Sequence, residues 1–247
     1  MKLKPIAKQA FESVGLSVRR EVRGTVDGFQ HRTARPVATY APWLSDAAFM
    51  AAYRAVESNT LVDIYRCWEL WQLVEQVSGL EGSIIEVGVW RGGTGCLMAK
   101  RAELLGLDIK VYLCDTFTGV VKATDRDASY FGGEHADTSA DTVRDLASRM
   151  GLDNVVLAQG VFPEETAHLV GDDPIRLLHI DVDVYAGAHD IVDFAWPRLV
   201  RTGVVVFDDY GFKGTTGITR YVNESMRGPD RTMIHNLNGH AIVIKTA

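Results

Sequence analysis

The sequence has no apolar run near the ~20 residues that cross a bilayer, and its N-terminus lacks the hydrophobic stretch of a secretory signal. Only three cysteines occur among 247 residues. Cys67, Cys96 and Cys114 lie in apolar contexts without metal-ligand spacing, so they read as buried free thiols rather than a disulfide framework or a zinc site. A cytoplasmic protein is the expectation. Excess positive charge is also absent: the net charge is −6, which argues against a nucleic-acid partner. No internal repeat or low-complexity segment interrupts the chain. What charge asymmetry exists is at the start, where residues 1–35 carry +5 and the remainder −11. That basic stretch reads as a solvated, partly ordered tail, or as an arm that packs on a partner subunit or shapes a substrate entrance.

Residues 1–42 show little periodicity and contain Pro5, Pro36 and Pro42, so an irregular basic arm is expected there. Residues 43–80 read as a helical extension. In its first helix Ser45 is the expected N-cap, with Phe49, Tyr53 and Val56 at helical spacing. In its second, Leu61, Ile64, Tyr65, Trp68 and Trp71 are expected to share a face, and Gly79 to close the C-terminus.

Residues 81–247 alternate strand and helix. Apolar runs at 83–89, 110–115, 154–160, 175–183 and 203–209 read as strands. Helical patterns lie at 93–106, 138–151, 186–199 and 217–226, the second with capping-box spacing from Thr138 to Asp141. Two short strands, 231–237 and 240–245, close the chain, and the brief turn at Asn238-Gly239 makes one of them antiparallel. Continuous apolar strands alternating with helices predict an α/β fold: a mostly parallel, Rossmann-like seven-stranded sheet with helices on both faces. The segment from Thr116 to Asp137 is long, rich in Gly and Asp, and has no period. It reads as a lid or as a solvated insertion, with Tyr130 and Phe131 at its centre.

Two features carry chemistry. The first is "EVGVWRGGTG", residues 86–95, at the turn after the first of these strands. Its glycines do not follow the G-x-G-x-x-G spacing of a dinucleotide site, and it lacks the lysine and hydroxyl of a phosphate loop. Glycine at Gly88 still lets a ligand approach the backbone. Glu86 adds a carboxylate before the turn, and the next strand ends in Asp115, which could accept hydrogen bonds from ribose hydroxyls. An acidic turn without phosphate-binding features suits a cationic nucleoside such as S-adenosylmethionine.

The second feature is "HIDVDVY", residues 179–185, followed by "FDDY", residues 207–210. Asp181 and Asp183 alternate to one face of an extended chain, and Asp208 and Asp209 converge with them if the strand ends in a turn. Sequential parallel strands usually neighbour, so all four carboxylates should meet at the ligand-binding edge of the sheet. Like charges about 4 Å apart repel by roughly 4 kcal/mol at an effective dielectric of 20. A hard cation such as Mg²⁺ would offset that, chelated in turn by adjacent oxygens of an acceptor, and a further carboxylate would serve as general base. His179 reads as a core histidine; His189, His235 and His240 are candidates for substrate contacts.

"EVGVWRGG", "CDTFTG", "HIDVDVY", "FAWPRL" and "FDDYG", in this order, resemble the macrocin-type (TylF-type) sugar O-methyltransferases, from about residue 60 to the C-terminus. The resemblance implies a class I methyltransferase fold, S-adenosylmethionine, Mg²⁺ and methyl transfer to a sugar hydroxyl of an antibiotic-type metabolite. By position it implies Asp181, Asp208 and Asp209 as metal ligands and Asp183 as general base. It places Glu86, Gly88, Asp115 and Thr116 at the cofactor, with Gln159, Gly160 and Phe162 near the adenine, and Tyr130 and Phe131 as lid or substrate residues. Thr202-Gly203 and Ala186-Gly187 depart from the family's pattern. The second departure alters the substrate side, so substrate identity does not transfer. The expected partner is a small sugar-containing acceptor, with no nucleic acid or membrane, for a homo-oligomeric enzyme. A catechol-like diol acceptor is the nearest alternative, and an NAD(P)-dependent oxidoreductase a more distant one.

Overall fold

The structure is a computed structural model that describes residues 21–34 and 38–247. It begins with a hairpin, β1 (Arg23–Val26) and β2 (Phe29–Arg32), paired antiparallel. This corrects the expectation of an irregular arm for that stretch. The signal was Asp27-Gly28: both have positive φ, 52° and 82°, as a two-residue hairpin turn requires. The other parts of the expected arm, residues 1–20 and 35–37, lie outside the described residues.

Helices α1 (Ala47–Val56) and α2 (Ile64–Gln76) follow. The cap of α1 is Asp46, not Ser45; its carboxylate accepts from the Phe49 amide at 2.8 Å, while Ser45 ends a 3₁₀ turn. Asp63 caps α2, so Leu61 falls outside the helix and is exposed. The buried stripe of α2 is Arg66, Cys67, Leu70, Trp71, Leu73 and Val74; of the expected face Trp71 is buried, Ile64 and Trp68 pack against the core, and Tyr65 is solvent-facing. The helix closes at Val77, two residues before Gly79.

The main domain is β3 (Ser83–Val87), α3 (Gly93–Leu104), β4 (Val111–Asp115), α4 (Ala140–Arg149), β5 (Val155–Gln159), the short α5 (Ala167–Val170), β6 (Ile175–Ile180), α6 (Tyr185–Ala195), β7 (Leu199–Phe207), α7 (Thr216–Ser225), β8 (Arg231–His235) and β9 (Ala241–Lys245). Ser139 caps α4 through the Thr142 amide; Thr138, expected in that role, instead donates its hydroxyl to the Trp90 carbonyl. The seven strands run in the order β5-β4-β3-β6-β7-β9-β8. Every pair from β5 to β7 is parallel, and β9 pairs antiparallel with both β7 and β8. The sequence reading of a mostly parallel seven-stranded sheet with one antiparallel closing strand holds.

Alternation along the strands splits the core in two. Ile84, Leu113, Leu177 and Val206 pack under α1 to α4, whereas Ile85, Leu178, Val205 and Val243 pack under α6 and α7. The chain leaves β3 toward β4 and β5, then returns to lay β6 on the other side of β3. The crevice at the carboxyl ends of β3 and β6 is therefore the switch point where such sheets hold ligands. Among the described residues no helix is long and apolar enough to cross a membrane.

Helix α2 is fixed to α3 by side chains such as Leu70, which is fully buried in the shared core. Leu70→Ala is expected to destabilise the protein by about 2–5 kcal/mol, read as a lower urea midpoint. A midpoint unchanged from wild type would show that α2 does not share the main core.

Candidate active site

A cleft opens along the carboxyl ends of β4, β3, β6 and β7. Its floor is Val87 to Trp90, its sides include Asp115, Thr116, Gly160 and Phe162, and its far end is Asp181, Asp183, Asp208 and Asp209. Gly88 is where the two halves meet: its φ is +89°, and a Cβ there would lie 1.9 Å from the Asp181 carbonyl oxygen. Only glycine allows β3 and β6 to leave the sheet so close together. Asp115 organises the same turn. Its Oδ2 accepts the amides of Val89 and Trp90 at 2.7 and 2.8 Å, and its Oδ1 accepts that of Phe117 at 2.7 Å.

Not every expected site residue reaches the cleft. Glu86 points away from it, into the core, with Oε1 2.9 Å from His179 Nδ1. Gly95 makes room for this carboxylate, since a Cβ there would lie 2.4 Å from Glu86 Oε2. Gln159 is exposed outside the lining, and Phe131 is 84% exposed. Tyr130 does line the cleft, near Asp183, and burial together with that carboxylate pushes its phenol up. Its hydroxyl also lies 3.5 Å from His135 Nε2. The 116–137 loop has no regular structure but is tied down. Lys122 pairs with Glu164 and Asp190, Asp137 binds Arg91 and the Trp90 indole, and Asp127 accepts the Tyr185 amide at the start of α6.

The four aspartates do converge, as the neighbouring of β6 and β7 requires. They fall into two environments. Asp181, Asp183 and Asp209 each bring a carboxylate oxygen within 4.8 Å of the others. Burial raises all three, and mutual repulsion adds to it: Asp209 acts on Asp183, and Asp208 on Asp181 and Asp209. Asp183 Oδ1 is buried with no hydrogen-bond partner among the described residues. Backbone strain accompanies the crowding, because Asp183 and Asp209 both sit at positive φ, 65° and 57°.

Asp208 differs. Burial alone would raise it, but His179, His240 and Arg66 outweigh that and hold it well below the usual carboxylate range. Arg66 reaches from α2 to Asp208 Oδ1 and, at 2.8 Å, to Asp209 Oδ1. His179 Nε2 faces Asp208 Oδ2 at 3.7 Å, and His240 Nε2 faces Oδ1 at 3.5 Å. Burial opposes a charged imidazole at His179, yet Asp208 and Glu86 prevail and raise it to about 10. His179 is thus a core residue that braces the site from behind. His240, expected as a substrate contact, is wholly buried in the same network. His189 and His235 lie outside the cleft lining. The sequence reading passed over Arg66 and Glu69. Their signal was an oppositely charged pair three residues apart beside the apolar stripe of α2.

Does the site fit a nucleoside cofactor and a divalent ion? Three crowded carboxylates with an unpartnered oxygen call for a cation, and an all-oxygen donor set suits a hard one. The glycine turn and the adjoining cleft along β4 and β5 leave a nucleoside-sized path to the aspartates. Both fit.

The arrangement is that of an α/β methyltransferase. The solved O-methyltransferase NovP has the same fold, with a TM-score of 0.68 at 23% identity over 76% of this chain and 83% of that one. The calicheamicin methyltransferase CalS11 superposes at a TM-score of 0.65 with 16% identity, over 84% and 94% of the two chains. Residues 47–232 match the family model for macrocin-O-methyltransferase (TylF), and the chain belongs to that family. It is a S-adenosylmethionine-dependent O-methyltransferase. Mycinamicin III 3''-O-methyltransferase of Micromonospora griseorubida is 30% identical over 208 residues, 76% of this chain and 81% of that protein. The 8-demethyl-8-(2,3-dimethoxy-alpha-L-rhamnosyl)-tetracenomycin-C 4'-O-methyltransferase of Streptomyces olivaceus is 28% identical over 191 residues, 68% and 72% of the two chains.

Gly88→Ala is expected to weaken S-adenosylhomocysteine binding tenfold or more, about 1.4 kcal/mol, measured by calorimetry. Affinity within twofold of wild type would remove the β3 turn from the cofactor site.

Proposed function

We propose that this enzyme methylates a sugar hydroxyl of a glycosylated natural product in a reaction that requires a divalent ion, Mg²⁺ being the ion the donor set suits. The observation that carries the metal requirement is the meeting of Asp181, Asp183 and Asp209 oxygens within 4.8 Å, with no basic side chain among the described residues bonded to Asp181 or Asp183. The sugar acceptor is supported by the relatives, whose names specify a 3''-O-methylation of mycinamicin III and a 4'-O-methylation of a rhamnosyl group.

In this reading Asp181 and Asp209 would hold the ion, with the Asp208 carboxylate, paired to Arg66 and faced by His179 and His240, beside them. Bound there, a divalent ion supplies a charge that lowers the pKa of an acceptor hydroxyl and fixes its orientation. Asp183, whose Oδ1 has no hydrogen-bond partner among the described residues, takes the proton from that hydroxyl. Burial and the charge of Asp209 raise its basicity for this role. S-adenosylmethionine held in the cleft would supply the methyl group, its S–CH₃ bond breaking as the O–CH₃ bond to the acceptor forms. Gly88, Asp115 and Thr116 line the donor's place, with Gly160 and Phe162 beyond them. Tyr130, carried on the 116–137 loop, covers the reacting end near Asp183 and helps exclude water.

Exhaustive chelation with EDTA is expected to abolish turnover and added Mg²⁺ to restore it; full activity in the chelated enzyme would refute the metal requirement. Asp183→Asn should lower kcat by 10²-fold or more, in the range of lost general-base catalysis, while S-adenosylhomocysteine still binds as in wild type. A variant with wild-type kcat would take Asp183 out of the base role.

A further inference from the structure

Helix α2 sends two side chains from one face into the aspartate cluster. Arg66 contacts Asp208 and Asp209 directly. Glu69, three residues on and so one helical turn along the same face, does so through a histidine. Its Oε2 lies 2.6 Å from His240 Nδ1, and the opposite ring nitrogen faces Asp208 Oδ1 at 3.5 Å. His240 has no exposed surface, and the Asp208 side chain has none either. The carboxylate of Glu69 is further fixed by the side-chain amides of Asn236 and Asn238, from the turn between β8 and β9.

We propose that Glu69 and His240 are positioning residues that set the Asp208–Asp209 turn in the geometry a divalent ion requires. This rests on the reading of the aspartates as a metal site. The reason for such a brace is visible in the backbone. Asp209 adopts a φ of +57°, a strained conformation that persists only where surrounding contacts over-determine it. The turn is held on its carbonyl side by the Thr215 hydroxyl at 2.6 Å and on its amide side by Asp208 Oδ1 at 2.7 Å. The second contact works only while the Asp208 carboxylate keeps its orientation. Arg66 fixes that carboxylate from one direction, and the His240 ring, itself oriented by Glu69, confines it from another. A carboxylate that orients a histidine against a ligand group is an outer-shell device whose loss typically costs 10–100-fold in metal affinity. Glu69 is not among the residues lining the cleft, and His240 and Asp208 connect its carboxylate to the site.

The test is Mn²⁺ titration of the full-length protein, wild type and Glu69→Gln, by calorimetry in the presence of S-adenosylhomocysteine, with a thermal melt to confirm the fold. Glu69→Gln keeps the size of the side chain and removes the charge that orients the ring. The expected result is Mn²⁺ affinity weakened 10–100-fold, S-adenosylhomocysteine affinity within twofold of wild type, and kcat recovered at saturating Mg²⁺. Mn²⁺ affinity within twofold of wild type in the folded variant would overturn the proposal and leave the metal reading standing. Absence of Mn²⁺ binding by the wild type would overturn both. If Glu69→Gln does not fold, Glu69→Asp, which keeps the charge but falls short of His240, is read by the same titration against the same outcomes.

Discussion

Repulsion among buried carboxylates is the constraint around which this structure is organised. Two parallel strands, β6 and β7, end side by side and deliver four aspartates to one edge of the sheet. Each unpaired charge in such a place is costly, and the protein handles the four differently. Asp208 is neutralised from within, by Arg66 and two imidazoles that are themselves held by Glu86 and Glu69. Asp181 and Asp183 face the cleft with no basic side chain bonded to them among the described residues, and Asp209 shares Arg66 with Asp208. One arginine shared between Asp208 and Asp209 does not balance four carboxylates, and the arrangement makes sense if a further cation is supplied from solution.

The same constraint explains features that look local. Gly88 lets β3 pass within van der Waals distance of the Asp181 backbone, which brings the glycine turn against the acidic end of the cleft. Glu86 turns away from the cleft to hold His179, so a residue expected at the cofactor instead supports the aspartates from behind. The positive φ values of Asp183 and Asp209 show that the chain accepts strain to aim these side chains. Helix α2 lies outside the Rossmann-like repeat, yet it is part of the site because it carries the arginine that bridges the Asp208–Asp209 turn.

Much of this was legible in the sequence. Continuous apolar strands at 83–89, 110–115, 154–160, 175–183 and 203–209 marked a parallel sheet, and their order placed the aspartates together. Helix boundaries were less secure because neighbouring residues compete for the cap: Asp46 displaced Ser45, and Ser139 displaced Thr138, whose hydroxyl found the Trp90 carbonyl. The buried face of α2 was read in part: Trp71 is buried and Ile64 and Trp68 pack on the core, but Asp63 starts the helix after Leu61, and the stripe is completed by Cys67, Leu70 and Val74. The roles of Arg66, Glu69 and His240 are long-range, spanning 142 residues from Arg66 to Asp208 and 171 from Glu69 to His240, and no local pattern encodes such pairings. Substrate identity was not legible for a different reason: part of the cleft lining comes from the 116–137 loop and residues 59–62, which have no motif of their own.

The most direct measurement is anomalous diffraction from a crystal grown with Mn²⁺ and S-adenosylhomocysteine. The account predicts a single strong Mn²⁺ peak bound by Asp181 and Asp209 next to the Asp208 carboxylate, with the cofactor's sulfur in the cleft beside it. A crystal with S-adenosylhomocysteine bound and no manganese at the aspartates would contradict it.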